Sequence, residues 1–149
     1  MTRKTIQYSF TAVVIIIAGS IYFAIKEFNR TKKDVAKIEA AYTLSSNEII
    51  SAFSTDEKAA NTKFLDKPIA INGTVKSIDK DEQGFYTIVL GDAASMSSVR
   101  CRLDSIHNKE GSVLSTGMPI TVKGICTGFI ADEMMGSDVM LNRCTTKNN

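Results

Sequence analysis

The sequence predicts a mainly β domain preceded by helices, and three observations support this fold class. An uncharged apolar run of 18 residues lies near the start of the 149-residue chain. After Pro68 the apolar residues change from a helical period to strict alternation. Five short strand-like segments then follow, separated by polar turns. A chain of this length has room for one modest domain and an appendage.

The apolar run, residues 8–25, follows a short N-terminal tail of residues 1–7. A helix needs about 20 apolar residues to cross a bilayer, so we expect a transmembrane anchor here. A cleaved signal peptide and a buried core helix are the alternatives, but the run is longer than the usual apolar region of a signal peptide. No cysteine follows the run, which excludes a lipoprotein anchor.

The charges on the two sides of the run leave its orientation in conflict. Two basic residues precede it and four follow it, and the larger count favours a cytoplasmic C-terminal domain. The short N-terminal tail and the cysteines favour the opposite orientation. We expect a single-pass membrane protein whose C-terminal domain is periplasmic or extracytoplasmic. The six flanking residues are Arg3, Lys4, Lys26, Arg30, Lys32 and Lys33.

The net charge of +2 hides an uneven distribution of charge. Residues 34–149 carry 12 of the 18 lysines and arginines but 15 of the 16 acidic residues. Nucleic-acid-binding domains usually concentrate positive charge, so nucleic acid is a less favoured partner. The positive charge beside the apolar run suits anionic headgroups, and the lipid bilayer is therefore an expected partner.

Residues 26–44 are predicted to form a helical stalk, because Phe28, Val35 and Tyr42 recur at a spacing of seven. The pattern is too short to predict a coiled-coil dimer. Residues 45–64 are predicted to form two short helices that pack on the following domain.

Each of these two short helices has a capping pattern at its start. Ser45 is followed three residues later by Glu48, which is the capping-box pattern. Ser54 and Glu57 repeat the same spacing, so Ser54 is the predicted N-cap of the second helix.

Residues 65–146 are predicted to form the β domain, followed by a tail of residues 147–149. Ile69, Ile71 and Val75 share one face of the first predicted strand. The other predicted strands are the segments FYTIVLGD, SVRCRL, PITVKGICTGFI and DVMLNRC. A longer connection lies between the third and fourth strands, and this order matches a five-stranded OB-type Greek-key barrel.

Four motifs occur in order along residues 45–146: FSTDEKAANTKFLDKPIAINGTVKSI, VRCRL, GMPITVKGICTGF and VMLNRC. Together they resemble the tRNA anti-like OB-fold family of bacterial membrane-anchored and lipoprotein-type proteins. The resemblance implies an OB fold, and the family supplies no settled biochemical function. The matching positions are Asp56, Glu57, Ala60, Asn61, Lys67, Gly73, Val75, Cys101, Gly117, Gly124, Cys126, Gly128 and Cys144.

The three cysteines allow three interpretations. A structural zinc site needs four ligands, and this chain has one histidine and no CxxC motif. A catalytic cysteine needs a group that stabilises its thiolate, and no pattern ties His107 to a thiol. We therefore expect a disulfide between Cys126 and Cys144, worth about 3 kcal/mol for a loop of this length. A bridge that involves Cys101 is the alternative, although Cys101 reads as a small buried apolar residue.

Outward side chains of the predicted strands form a candidate ligand face. The acid-rich loops DKDEQG and ADEMMGSD should flank this face and weaken its attraction for phosphate. Adjacent methionines in the second loop, Met134 and Met135, are a candidate contact for a protein partner. The predicted face consists of Lys76, Tyr86, Arg100, Arg102 and Lys123.

The sequence thus predicts a membrane-anchored OB-fold binding module of the bacterial cell envelope, which binds a protein or a small polar ligand. We expect no enzyme activity, because no nucleophile–base pair or pair of carboxylates emerges. No catalytic residue, metal or cofactor is predicted. The alternative is an oligonucleotide-binding OB module that faces the cytoplasm.

Overall fold

The computed structural model describes residues 17–26, 34–132, 134 and 136–147. The chain divides into two compact units, Met1–Asp34 and Val35–Asn149. The second unit is mainly β, with a six-stranded sheet and a few helices. Its elements in chain order are a 3₁₀ turn (Val35–Lys37), β1 (Tyr42–Ser45), α1 (Ser46–Thr55), α2 (Glu57–Phe64), β2 (Pro68–Lys80), β3 (Tyr86–Leu90), β4 (Ser98–Leu103), a 3₁₀ helix (Asn108–Val113), β5 (Pro119–Asp132) and β6 (Gly136–Lys147).

The described part of the first unit is a helix over residues 17–26. Among the described residues, no helix is both long enough and apolar enough to span a bilayer. This finding contradicts the predicted single-pass localisation with an extracytoplasmic domain. The predicted tail 1–7 and the start of the predicted anchor, residues 8–16, lie outside the described residues.

Five strands of the second unit are joined by a ring of pairings. β2 pairs with β3, β3 with β4, β4 with β6, β6 with β5, and β5 again with β2. The β4–β6 pairing is parallel and the other four are antiparallel. This order is that of an OB-like fold. The five strands correspond to the five segments that the alternating apolar pattern predicted.

The predicted stalk, residues 26–44, is not one helix. Val35–Lys37 forms a single 3₁₀ turn, and Tyr42–Ser45 is β1, which pairs in parallel with β2. Val35 is buried and Tyr42 packs edge-on against Phe64, with ring centres 5.3 Å apart. Val35 and Tyr42, which are seven residues apart, therefore both pack on the β domain, but they belong to two separate elements and not to one helix. Residues 27–33 of the predicted stalk lie outside the described residues.

The two short helices are present, and the first begins as predicted. Ser45 accepts the N–H of Glu48 at 3.2 Å, and the Glu48 carboxylate accepts the N–H of Ser45 at 2.6 Å. The prediction of Ser54 as the second N-cap is wrong, because α1 continues to Thr55. Asp56 caps α2 instead, accepting the N–H of Ala59 at 2.9 Å.

The hydrophobic core packs against these strands, and the two helices contribute large side chains to it. Ile49 and Phe53 of α1 are buried, as are Ala60 and Phe64 of α2. The Phe53 ring stacks on Phe129 of β5 with centres 5.1 Å apart. These contacts hold both helices against the strands, since burying such side chains is the main source of stability.

All three cysteines lie among the described residues, and all are buried free thiols. The predicted Cys126–Cys144 disulfide is not formed. Cys126 lies opposite Leu141 in the β5–β6 pairing. Cys144 follows Leu141 by three residues, so it is not the residue opposite Cys126. Cys144 instead contacts Cys101 and faces Gly124, where a Cβ atom would collide with the Cys144 sulfur.

Candidate nucleic-acid or polar-ligand interface

Outward residues of β3, β4 and β6 form one surface, which we call the arginine face. Thr87 lies opposite Arg102, Val89 opposite Arg100, and Arg100 opposite Met140. Thr87, Arg100, Arg102 and Met140 alternate along their strands with buried residues, whereas Val89 is itself buried. In OB folds the face of the corresponding strands is the one that binds oligonucleotides and oligosaccharides.

Aspartates balance the charge of the arginine face. Arg100 lies 3.0 Å from Asp79 and 3.6 Å from Asp138, and Arg102 lies 3.2 Å from Asp81. These carboxylates belong to the two acid-rich segments that the sequence placed beside the face. The face therefore carries paired charges rather than a continuous positive surface.

A groove of about 500 Å³ adjoins the arginine face at Arg102, and we call it the arginine groove. The Arg102 guanidinium lies 5.4 Å from the centre of the Phe85 ring, within the range of a cation–π contact. Arg143 Nε lies 3.4 Å from an oxygen of Asp104. The groove is lined by Phe85, Arg102, Leu103, Asp104, Ser105, Ile125, Thr127, Asn142 and Arg143.

Local backbone structure places the side chains of the groove. Asp81 accepts the N–H groups of Gln83 and Phe85 at 3.0 and 2.8 Å, which fixes the turn that presents the Phe85 ring. Arg143 has φ 55. At this position the register of β6 shifts against both of its neighbours, β4 and β5. Such a bulge changes the alternation of side chains, so Asn142 and Arg143 both line the groove.

Three of the five predicted ligand residues are placed away from the arginine groove. Lys76 donates to the Ser95 carbonyl in the β3–β4 loop. Tyr86 packs beside Gly111 of the second 3₁₀ helix, with Lys80 over its ring at 5.2 Å. Lys123 lies on another side of the sheet. Only Arg100 and Arg102 share the arginine face.

Lys123 has a structural role. Its Nζ donates to the carbonyls of Ala36 and Ile38 at 2.7 and 2.8 Å, which ties the first 3₁₀ turn to β5. In the sheet, Lys123 is paired with Ala70 of β2 and Thr145 of β6, and Ala70 is paired in turn with Thr43 of β1. In the structure β5 turns the Lys123 side chain toward the first 3₁₀ turn of the second unit.

Two other hollows of similar size are less suited to a polar ligand. A groove of about 640 Å³ lies between α1 and α2, but its carboxylates, Glu48 and Asp56, are engaged in capping the helices. A second hollow of about 600 Å³ lies beside Lys123, whose ammonium group already binds two carbonyls.

Other titratable groups in the described part of the chain lie outside the arginine groove. His107 Nδ1 lies 2.7 Å from Glu110, whose carboxylate also accepts the N–H of Thr146 at 2.6 Å. Burial raises the pKa of Cys126 and, more strongly, that of Cys144. Hydrogen bonds from Ser45 lower the pKa of Glu48. Within the described ranges, no group of three or more His, Cys, Asp or Glu side chains could hold a metal ion.

The predicted methionine contact is described only in part. Met134 is 85% exposed at the tip of the β5–β6 hairpin. Met135 lies outside the described residues. The sequence did not single out Asn142 and Arg143 as site residues, because nothing in its alternation signals the bulge that brings them into the groove.

The chain is similar in fold to a candidate nucleic acid-binding lipoprotein from Klebsiella pneumoniae. The identity is 16%, the TM-score is 0.56, and the match covers 76% of this chain and 95% of that protein. The asparaginyl-tRNA synthetase of Pyrococcus horikoshii gives a TM-score of 0.39 at 15% identity, over 56% of this chain and 20% of the enzyme.

No curated protein matches the sequence significantly. A family model described as tRNA_anti-like matches residues 1–145, which is nearly the whole chain. The arrangement of strands, the two preceding helices and this match agree with the resemblance seen in the sequence. The chain belongs to the tRNA anti-like OB-fold family.

Proposed function

We propose that this chain is a non-catalytic binding module that takes a small polar ligand in the arginine groove. The observation that carries the proposal is the position of Arg102. Its guanidinium lies over the Phe85 ring, and its Nη2 donates a hydrogen bond to Asp81. A guanidinium has five N–H donors in a fixed plane, so donors remain for a ligand held beside an aromatic surface.

The charges that surround the groove favour a neutral or zwitterionic ligand. Asp81 and Asp104 balance Arg102 and Arg143, so the groove offers both signs of charge within a short distance. A strongly anionic ligand would meet these carboxylates as it approached the guanidinium groups, and like charges repel. A ligand with hydroxyl, amide or paired charged groups meets complementary partners at the same positions.

The groove holds one hydroxyl–carboxylate contact. Ser105 donates its hydroxyl to Asp104 at 3.2 Å, and the lining holds neither a histidine nor a cysteine. The same carboxylate accepts the N–H of Ile106 at 3.4 Å and lies 3.4 Å from Arg143, so it organises the end of β4 and the bulge of β6. We therefore propose binding as the role of these groups.

Titration calorimetry with two defined probes tests the proposal: maltotetraose as a neutral polar ligand and glycyl-glutamine as a zwitterion. We expect at least one probe to bind with little dependence on salt. The Arg102→Gln variant should weaken that binding about tenfold or more, as expected for the loss of a hydrogen bond to a charged group. Lys58→Gln, which removes an exposed charge on α2, is the control.

Unchanged binding to Arg102→Gln would contradict the proposal, as would the failure of both probes to bind at millimolar concentration. Thermal unfolding of both variants distinguishes a lost contact from a lost fold. A variant that keeps the melting temperature of the parent but loses the ligand supports a direct contact.

Single-stranded nucleic acid is a second candidate ligand. The pairing of Arg102 with Phe85 resembles the basic and stacking groups that hold single strands, and the Klebsiella protein of similar fold is described as a candidate nucleic-acid binder. The three aspartates on the arginine face oppose this function. Binding of a short oligothymidine that falls steeply between about 50 and about 200 mM salt would favour this candidate.

A further inference from the structure

The outer edge of β5 is unpaired near its C-terminal end. β2 pairs with β5 only from Pro119 to Ile125, and the last backbone hydrogen bonds on that side join Cys126 to Asp66 and Lys67. Beyond this point, residues 127–131 pair with β6 alone within the described part of the chain. An open edge presents N–H and C=O groups to which another strand can hydrogen-bond.

This edge has little of the protection that proteins usually give to an exposed strand. Residues 127–131 read TGFIA and contain no charge and no proline. Ile130 is 58% exposed, and Thr127 and Ala131 are also exposed. Bulges can also protect an edge, and this stretch has a shift of register between Cys126 and Gly128. Sheet edges are normally blunted by lysine, proline or inward charges.

One side of this strand is packed, which holds the edge in an extended shape. Phe129 lies against Phe53 of α1, with stacked rings 5.1 Å apart. The next residue, Ile130, projects to the opposite side and lies across from Asp138 of β6. The edge is therefore ordered before any partner binds, which reduces the entropy cost of binding.

Carboxylates lie at the C-terminal end of the edge. The strand ends at Asp132, and Asp138 lies opposite Ile130, where it also pairs with Arg100 at 3.6 Å. Met134 follows with 85% exposure. An apolar surface beside carboxylates is complementary to an apolar side chain flanked by lysine or arginine. A second copy of this chain would bring like-charged carboxylates together. Five residues of pairing also bury far less than the roughly 1,200 Å² of a stable dimer.

We propose that residues 127–131 are a docking edge for an extended, basic segment of a partner protein. The segment adds as a further strand beside β5 and places an apolar side chain against Ile130. Main-chain hydrogen bonds supply the affinity in this mode, and side-chain positions supply the specificity. The docking edge shares Thr127 with the lining of the arginine groove. Ile130 lies outside that lining, so variants at Ile130 separate peptide docking from ligand binding in the groove.

A fluorescein-labelled peptide of alternating valine and lysine tests the docking edge by fluorescence anisotropy. The control peptide is N-methylated at two adjacent central residues, which removes a donor from each of its edges and keeps its side chains and charge. We expect the first peptide to bind and the methylated peptide to bind at least about tenfold more weakly.

Matched variants locate the contact on the protein. Ile130→Lys adds a positive charge to the docking edge and should weaken binding of the basic peptide about tenfold. Ile106→Lys is the control, because Ile106 is 65% exposed in the connection between β4 and the second 3₁₀ helix. Equal binding by both variants, or by both peptides, would overturn the proposal.

Amide hydrogen exchange supplies the second readout. The peptide should protect amides within residues 127–131, and protection elsewhere alone would overturn the proposal. Slow exchange of these outward amides in the free protein, together with a dimeric mass from light scattering, would assign the edge to a second copy and also overturn it. Failure of the parent protein to bind the peptide at millimolar concentration has the same consequence.

Discussion

At the scale of single residues, burial controls the chemistry of the cysteines. Cys101, Cys126 and Cys144 are fully buried free thiols. In the native protein we expect negligible reaction with a thiolate-specific disulfide reagent at neutral pH within minutes, because the reagent requires an exposed thiolate. After unfolding without a reductant, three thiols per chain should react. A single reactive thiol would show instead that a disulfide had formed.

The same burial makes stability depend on alkaline pH. The pKa values of Cys126 and Cys144 in the folded protein are raised above the ordinary value of 9.0. Above that pH the unfolded chain releases protons that the folded protein retains. The contribution of these thiols to the free energy of unfolding is therefore full below pH 9 and decreases as the pH rises further.

Individual site residues were only partly predictable from the sequence. Alternation along SVRCRL identified Arg100 and Arg102 as outward residues, and both lie on the arginine face. Tyr86, predicted on the same face, lies at the start of β3, where its ring turns toward Gly111. Arg143 was not identified, since its position depends on a bulge that single-sequence periodicity does not encode.

At the scale of elements, a cap distinguishes the observed helix boundary from the predicted one. Asp56→Ala should lower the free energy of unfolding by about 1 kcal/mol, because it removes the acceptor for the N–H of Ala59. Ser54→Ala should change it by less than about 0.5 kcal/mol, as for an ordinary exposed residue. Urea unfolding of both variants measures the difference. A larger effect of Ser54→Ala would restore the boundary predicted from the sequence.

The elements differ in how strongly the sequence determines them. The first capping box was predicted correctly, since Ser45 and Glu48 act within one helical turn. β1 was not predicted, because Tyr42 and Val35 fit a spacing of seven that helices also satisfy. Pairing with β2 decides the outcome there, and that contact joins segments far apart in the chain.

At the scale of the whole molecule, the order of the strands was predictable and the location of the site was less so. Alternating apolar residues indicated five strands, and the long connection after the third indicated their OB-like order. The groove forms only when the turn at Phe85, the end of β4 and the bulge at Arg143 meet. These three segments are distant in sequence, so composition and periodicity do not show that they are neighbours.

The proposed function requires a polar ligand to bind in the arginine groove. The most direct measurement is a titration of the isotopically labelled protein with whichever of maltotetraose and glycyl-glutamine binds, followed by amide chemical shifts. We predict that the largest changes fall on Phe85, Arg102, Asn142 and Arg143. Changes centred instead on Thr43, Thr121 and Thr145, around the hollow beside Lys123, would contradict the claim.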